Sequence, residues 1–465
     1  MEPALRGWRR YTLVEPPMML LLFCYSVTST VLTDLVLYRS CRTMLGVRAG
    51  ECDVLHTDSA SSEASDLKAL IQPHASYILI CKSFVDGLIP AFMSLFMGPW
   101  SDKHGRKPLL VAGYLGSTLS YLLWSILCSM DTDPWIYLVA SLPSTFAGGF
   151  CGVILASMCY ITDIADTSDR TWHFAWLQAA VSFGLFLGSF VGRTLFENFG
   201  YAAVFGTACG CSGLAMMYVL FMVPETIVRN DVERSWCSLF DVSLVKDMLV
   251  ICTKKRDGFN RAIVWGCIVS LSINILVMEG DGGVGYMFTT LRLGWGIDEY
   301  TVYQAIAISI SIVGTLLGAE LFKTLIDKTM KDMLMAVIAY TSFFVGSMTK
   351  ALTTAPWHLY LSCVLGMFGP LSSPVVRSAL SAAAPPQDIG KIFSLTTSME
   401  AIIPLAASPL YMLIYTHNLP PIYPSPVYLV SAALLAVVII LVIIVDMQIR
   451  KPRNSQYNPI NEEIG

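Results

Sequence analysis

Charge is scarce in this chain of 465 residues: 14% are Asp, Glu, Lys or Arg, while 55% are apolar. A soluble domain carries about a quarter charged residues. An apolar excess of this size needs lipid around it, so the composition reads as a polytopic all-α membrane protein. Histidine is also sparse, with six residues, and His74, His104 and His173 fall near the ends of apolar runs. No nucleophile–base pair and no Cys/His cluster with zinc spacing stands out. The chain is therefore expected to be no enzyme, to hold no metal and to need no cofactor or nucleic acid. It lacks any Asn-x-Ser/Thr acceptor site. No cleavable signal peptide is in view either, because the apolar run after Met1–Arg10 continues for a full span. The thirteen cysteines lie mostly inside apolar segments, where a thiol is usually a small buried hydrophobe. The net charge of −4 decides little, since only the placement of charge matters here.

The chain is organised around Gly98-Pro-Trp-Ser-Asp-Lys-His-Gly-Arg-Lys-Pro108, a short polar hairpin between two apolar runs, 75–97 and 108–130. Each run is long enough for a bilayer crossing, which takes ~20 apolar residues. Gly98 and Gly105 are expected where the backbone turns tightly. Reading outward gives a tail over 1–15 and spans at about 16–38, 75–97, 108–130, 135–161, 171–195 and 200–223, making a six-helix bundle over 16–223. The long polar stretch 224–261 follows. Six further spans, at about 262–285, 301–322, 333–354, 357–380, 391–415 and 424–448, make a second bundle over 262–448, with a tail over 449–465. Basic residues test this count, because they gather on the cytoplasmic side. They cluster at Lys103/Arg106/Lys107, Arg170, the 224–261 stretch, Lys323/Lys328/Lys331, Lys391 and the carboxyl tail. Both tails are thus cytoplasmic. The exception is the first outer loop, 39–73, where Arg39, Arg42, Arg48 and Lys68 are outnumbered by acids. That loop holds Cys41 and Cys52. They pair if the loop faces an oxidising space, or remain two free thiols.

Charges inside apolar spans cost several kcal/mol unless they face a cavity or a partner. The set is Asp34, Lys82, Asp86, Glu279, Asp281, Arg377 and Glu400. Lys82 and Asp86 lie four apart and read either as mutual neutralisers on one helix face or as a titrating site; both readings stand. Glu279 and Asp281 sit in Met278-Glu-Gly-Asp-Gly-Gly-Val-Gly285, whose glycines are expected to break or unwind the helix. They are proton-coupling candidates, with Glu400, Asp34 and Asp86, unless both already lie in the outer water layer. Arg377 follows Pro370 and Pro374, which predict a kinked tenth span. It reads as an anchor for an organic anion or a partner for Glu400, the alternative being an arginine snorkelling to the interface. Trp176 and Tyr286 are offered as stacking partners for a flat ring, though aromatics near span ends more often anchor the interface. Gly184, Gly188 and Gly192 allow close helix packing by span five.

The pattern G-x-x-S-D-x-x-G-R-K-P of the hairpin resembles the loop between helices two and three of the major facilitator superfamily of secondary transporters. Gly318–Asp327 sits where a second, degenerate copy would lie, and Pro224-Glu-Thr226 closes span six as that superfamily often does. Tyr160-Ile-Thr-Asp-Ile-Ala-Asp with Arg170, Ser373-Pro-Val-Val-Arg-Ser-Ala-Leu380 and Gly390-Lys-Ile-Phe-Ser394 followed by Ser398-Met-Glu-Ala401 narrow the likeness. Together they resemble the solute carrier 46 family, the group of the proton-coupled folate transporter. The resemblance implies the twelve-helix, two-halved fold and movement of small organic anions, folate-like, peptidoglycan-fragment or conjugate, coupled to protons; a monomer is expected. Asp102, Arg106, Asp163 and Arg170 read as a conformational gate, the alternative being a topogenic charge cluster, and the resemblance places the family's hairpin aspartate and arginine on Asp102 and Arg106. It places the family's cavity arginine on Arg377. Three positions depart from the folate transporter. Gln178 stands for a glutamate, Val277 for a histidine, and Gly294 for a cysteine before Trp295. Gln178 is still counted with the substrate site. These departures keep a second reading in play, a non-transporting receptor or scaffold with the same fold. Tyr457-Asn-Pro-Ile460 has the form of a sorting signal, so either the plasma membrane or an endolysosomal membrane is expected.

Overall fold

The computed structural model describes residues 12–44, 52, 62–166, 169–227, 261–295, 297–325, 331–384, 388–417 and 423–450. Most of the 224–261 stretch, part of the degenerate second hairpin and the Tyr457–Ile460 signal lie outside them. Among the described residues, twelve helices are long and apolar enough to cross a membrane. They are Glu15–Thr43, Tyr77–His104, Lys107–Leu127, Ile136–Ile164, Arg170–Gly192 and Thr194–Met222 in the first half. In the second half they are Arg261–Leu293, Glu299–Leu321, Met333–Ala351, Pro356–Ala383, Ile389–His417 and Pro426–Ile449. We number them spans one to twelve. Their mean hydropathy reaches 3.2 in span twelve and stays at 1.3 or more everywhere, which is why the apolar runs alone located them.

The polar hairpin is tighter than its length suggests. Helix runs to His104, Gly105 turns the chain at φ 107°, and span three starts at Lys107 with Pro108 in its first turn. Proline fits there because its missing N–H has no helical partner to lose. Gly98, expected to turn, is instead helical. Its role is packing, since a side chain there would overlap the Gly390 carbonyl and Ser394 of span eleven.

The first outer loop is also shorter than expected. The helix of span one continues to Met44, and that of span two begins at Ser62, well before residue 75. Ala, Leu, Glu and Lys in Ser62–Leu70 are good helix formers, so polarity there marks a helix standing out of the membrane rather than a loop. Cys41 and Cys52 are joined by a disulfide.

One further glycine prediction is corrected. The Glu279–Gly285 segment does not unwind, and helix runs unbroken from Arg261 to Leu293. Its glycines admit neighbours: a Cβ at Gly280 would overlap the Tyr411 ring, and one at Gly285 would meet the Tyr300 hydroxyl at 2.7 Å. In span five, Gly184, Gly188 and Gly192 face Met19, Phe23, Ser26 and Val27 of span one, the close helix packing that their spacing allows. Ser26 donates to the Leu185 carbonyl at 2.8 Å across this contact.

The tenth span is broken as Pro370 and Pro374 predict. One helix ends at Leu365, Gly369–Leu371 forms a single 3-10 turn, and Ser372–Ala383 resumes. Ser342 of span nine serves the break, donating to the Leu365 carbonyl at 2.6 Å and accepting from the Phe368 amide at 3.3 Å. Such side chains make a broken helix tolerable in lipid.

The core is arranged unequally. On the hairpin side one continuous cluster joins both halves, including Met97, Ile161 and Phe174 of the first and Val264, Ala379 and Phe393 of the second. Towards the outer side the halves have separate clusters. One is built on Leu35, Trp124, Tyr137 and Phe205, the other on Phe288, Trp295, Tyr303 and Tyr411. The halves are therefore joined at the hairpin end and packed apart at the opposite end.

Candidate functional site

The packing at the hairpin end is built on Arg106, which is 2% exposed. Its Nη2 lies 2.6 Å from Asp102 Oδ1 and its Nε donates to Asp163 Oδ2 at 3.1 Å. Nη1 donates to Ser101 Oγ at 2.6 Å. Its backbone amide donates to Glu225 Oε1 at 2.9 Å, and the Lys107 amide to Glu225 Oε2 at 3.2 Å. Glu225, from the Pro-Glu-Thr at the end of span six, thus caps the first turn of span three, where a negative charge is favoured. Thr226 donates to the same Asp163 oxygen at 3.0 Å. The Asp102 carboxylate packs against Gly390 in the first turn of span eleven, where a Cβ would overlap it. Arg170 donates to the Thr162 carbonyl at 3.1 Å and reaches Ser381 Oγ of the opposite half at 3.3 Å. Spans two and eleven add a ladder of hydroxyls. Ser94 and Ser398 share a hydrogen bond of 2.6 Å, Ser398 donates to the Ala91 carbonyl at 2.9 Å, and Ser394 donates to the Ser94 carbonyl.

Deeper in the bundle lies a buried ion pair. Arg377 Nη2 of span ten donates to both oxygens of Glu400, of span eleven, at 2.6 and 2.7 Å. The two side chains are 7% and 9% exposed. Nε donates to Ser373 Oγ at 3.1 Å, one helical turn earlier, and Nη1 reaches Met158 Sδ of span four at 2.9 Å. Six residues separate Arg377 from the end of its helix, about 9 Å at 1.5 Å per residue, and its partners occupy it there, so it does not snorkel.

The other acids are placed in different ways. Asp281 is buried, accepting from Ser431 Oγ at 2.6 Å and pairing with Lys350 at 3.3 Å. Lys350 was not legible as its partner from sequence. Glu279, two residues away, is exposed and makes no hydrogen bond or ion pair among the described residues; Tyr25 of span one lies within its electrostatic reach. Asp34 accepts from the Tyr201 hydroxyl at 2.5 Å. Lys82 and Asp86 pair at 2.5 Å, with Thr145 donating to Asp86 at 3.4 Å.

Of the proposed stacking residues, Trp176 stacks on Trp172 with centroids 6.5 Å apart, and Gln178 is half-buried. Tyr286 tilts against Tyr300 at 5.3 Å. The structure does not bring Tyr286 to Arg377. Ser272 of the same span faces Met399, next to Glu400, and Tyr286 is fourteen residues, about 20 Å, further out. A recess of about 360 Å³ between spans nine and ten, lined by Ile338, Thr341, Ser342, Val345, Leu365 and Phe368, holds no charge and lies away from this chemistry. Among the described residues no group of His, Cys, Asp and Glu could hold a metal.

Residues 83–409 match the model of the Major Facilitator Superfamily. A Drosophila melanogaster protein described as a probable peptidoglycan muropeptide transporter SLC46 is 30% identical over 418 residues, covering 88% of this chain and 80% of that one. The Bos taurus proton-coupled folate transporter is 23% identical over 96% of this chain and 94% of its own. Among solved structures, the human organic anion transporter MFSD10 superposes with a TM-score of 0.70 at 14% identity, over 94% of this chain and all of that one.

Proposed function

Because the chain belongs to the major facilitator superfamily and, within it, to the solute carrier 46 family of membrane transporters, we propose that it carries small organic anions together with protons by alternating access. The observation that carries this reading is the Arg377–Glu400 pair, buried where the two halves meet. A buried charge pair is costly to desolvate and is weak support for stability, so its presence at the meeting point of the halves favours a working role. Arg377 presents a planar fork suited to carboxylate or sulfate. Glu400 already neutralises it. A proton taken up by Glu400 cancels that neutralisation and leaves the guanidinium to the substrate's anionic group. Loss of the proton restores the pair and expels the anion. Proton and substrate then travel in the same direction without any covalent step.

Relatives support three substrate classes, muropeptides, folates, and steroid conjugates with bile acids, and the departures at Gln178 and Val277 argue against a copy of the folate site. Nothing observed favours the non-transporting alternative. The reading is tested in proteoliposomes with an imposed pH gradient and labelled muramyl dipeptide or folate. Arg377→Ala is expected to abolish uptake. Glu400→Gln, which fixes the neutral state, is expected to keep anion binding but lose the stimulation by acid. Uptake by Arg377→Ala at the normal rate sinks the anchor role.

A further inference from the structure

Arg377 has five N–H donors, and the structure shows an unusual use of them. Glu400 takes Nη2 alone, with both its oxygens on one nitrogen. The two-nitrogen fork that normally grips a carboxylate is not formed. Nε is spent on Ser373. Nη1 is given to Met158 Sδ at 2.9 Å. A thioether is among the weakest acceptors in a protein. Met158 is 8% exposed and Arg377 6%, so water does not make good the shortfall. Met158 belongs to span four in the first half, and Arg377 to span ten in the second, 219 residues apart.

We infer that Met158 holds the place of one substrate oxygen on Arg377 Nη1, and so sets both affinity and the link between binding and movement of the halves. This rests on Arg377 being the anion anchor. A two-pronged oxyanion, carboxylate or sulfate, needs Nη1 and Nη2 together. Protonation of Glu400 releases Nη2. Nη1 carries two N–H groups, and the one held on the Met158 sulfur becomes available only when that sulfur leaves. A carboxylate or sulfate oxygen is a much better acceptor for a guanidinium N–H than a thioether sulfur, so the anion displaces the thioether readily. Methionine suits this role because its unbranched side chain can swing away at low cost. Its departure removes a side-chain contact between spans four and ten. Substrate binding thereby loosens the packing at the hairpin end from within, at the same step that fills the site.

The test uses full-length protein and labelled muramyl dipeptide, with folate as a second probe. Met158→Leu keeps the volume and removes the acceptor. KM is expected to fall about two- to tenfold, the worth of one modest hydrogen bond, and Met158→Ala is the second variant. In protein labelled with ¹³C-methyl methionine, the resonance missing from Met158→Leu is expected to shift saturably with either probe. In Arg377→Ala it is expected to start elsewhere and not to respond. Uptake that needs Arg377, with an unchanged KM in both Met158 variants and an immobile methyl, overturns this inference alone. Uptake that survives Arg377→Ala, or no uptake of either probe by the wild type, overturns the anchor reading and this inference with it.

Discussion

Lys350 Nζ of span nine lies 3.3 Å from Asp281 Oδ2 of span seven, inside the second half. The other Asp281 oxygen accepts from Ser431, which shares a 3.0 Å hydrogen bond with Tyr411, and the Lys350 ammonium sits 5.7 Å over the Tyr428 ring. One ion pair therefore ties spans seven, nine, eleven and twelve. It also separates the two acids of the glycine-rich segment. Asp281 is committed to the bundle, while Glu279, about 200° round the helix at 100° per residue, keeps its charge away from that network.

Removing one partner of such a pair strands the other, at a cost of about 3–5 kcal/mol when burial is complete. Lys350 is 24% exposed, so about 2–3 kcal/mol is expected for Lys350→Met after that discount. Lys350→Met combined with Asp281→Asn is expected to recover most of the loss. Thermal unfolding in detergent measures both. A double variant as unstable as the single one would show that the two residues do not act as a pair.

Gly280 and Gly282 offer a matched contrast on one helix. A Cβ at Gly280 would overlap the Tyr411 ring, whereas at Gly282 nothing lies within 4 Å. Gly280→Ala is expected to cost about 1–3 kcal/mol by overpacking. Gly282→Ala is expected to be neutral or to stabilise by up to about 1 kcal/mol, through the lower entropy of its unfolded chain. Equal melting temperatures for the two variants would contradict the packing described.

The packing at the hairpin end should open when Arg106 is lost. Arg106→Ala leaves Asp102 and Asp163 without their cation, at about 3–5 kcal/mol for so buried a group. Cys159, fully buried in the adjoining core, then becomes the reporter. Its labelling by a maleimide from the cytoplasmic side is expected to rise at least several-fold over wild type in sealed membranes. An unchanged rate would mean that this packing does not depend on Arg106.

Asp131, between spans three and four, accepts two hydrogen bonds from Arg42 at 2.6 and 2.9 Å and another from Arg39. The bond from Arg39, with the charges of both arginines, holds its carboxyl below the ordinary carboxylate range. A carboxyl depressed in the folded state contributes stability above its unfolded value and loses it as pH falls through the folded one. The clamp is therefore expected to persist at neutral and mildly acidic pH and to fade only below about pH 4, the unfolded value for aspartate. Asp131→Asn should remove that acid-side decline in melting temperature. A clamp lost near pH 6 in the wild type would contradict the assignment.

The span count was legible because crossing a bilayer needs little more than ~20 apolar residues in a row, and the break at Pro370 was legible because proline removes a helical donor whatever surrounds it. The hairpin was legible as a charged turn, and Arg377 and Glu400 as charges out of place. Other features were not. The glycines of 280–285 read as weakness in a helix, since their packing partners Tyr411, Ser408 and Tyr300 are distant in sequence. Met158 gave no signal at all, being one apolar residue among many in an apolar span. Lys350 lay near the end of its span, where a lysine can reach water and so attracts no suspicion.

Local sequence thus determined where the chain is helical and where the charged hairpin turns it, because those depend on propensity, length and charge within a single segment. Tertiary structure alone decided which acid meets which base, and that the halves are joined at one end and packed apart at the other. Those outcomes depend on side chains brought within a few ångströms from residues scores or hundreds of positions apart, such as Met158 and Arg377, and no property of either segment encodes the meeting.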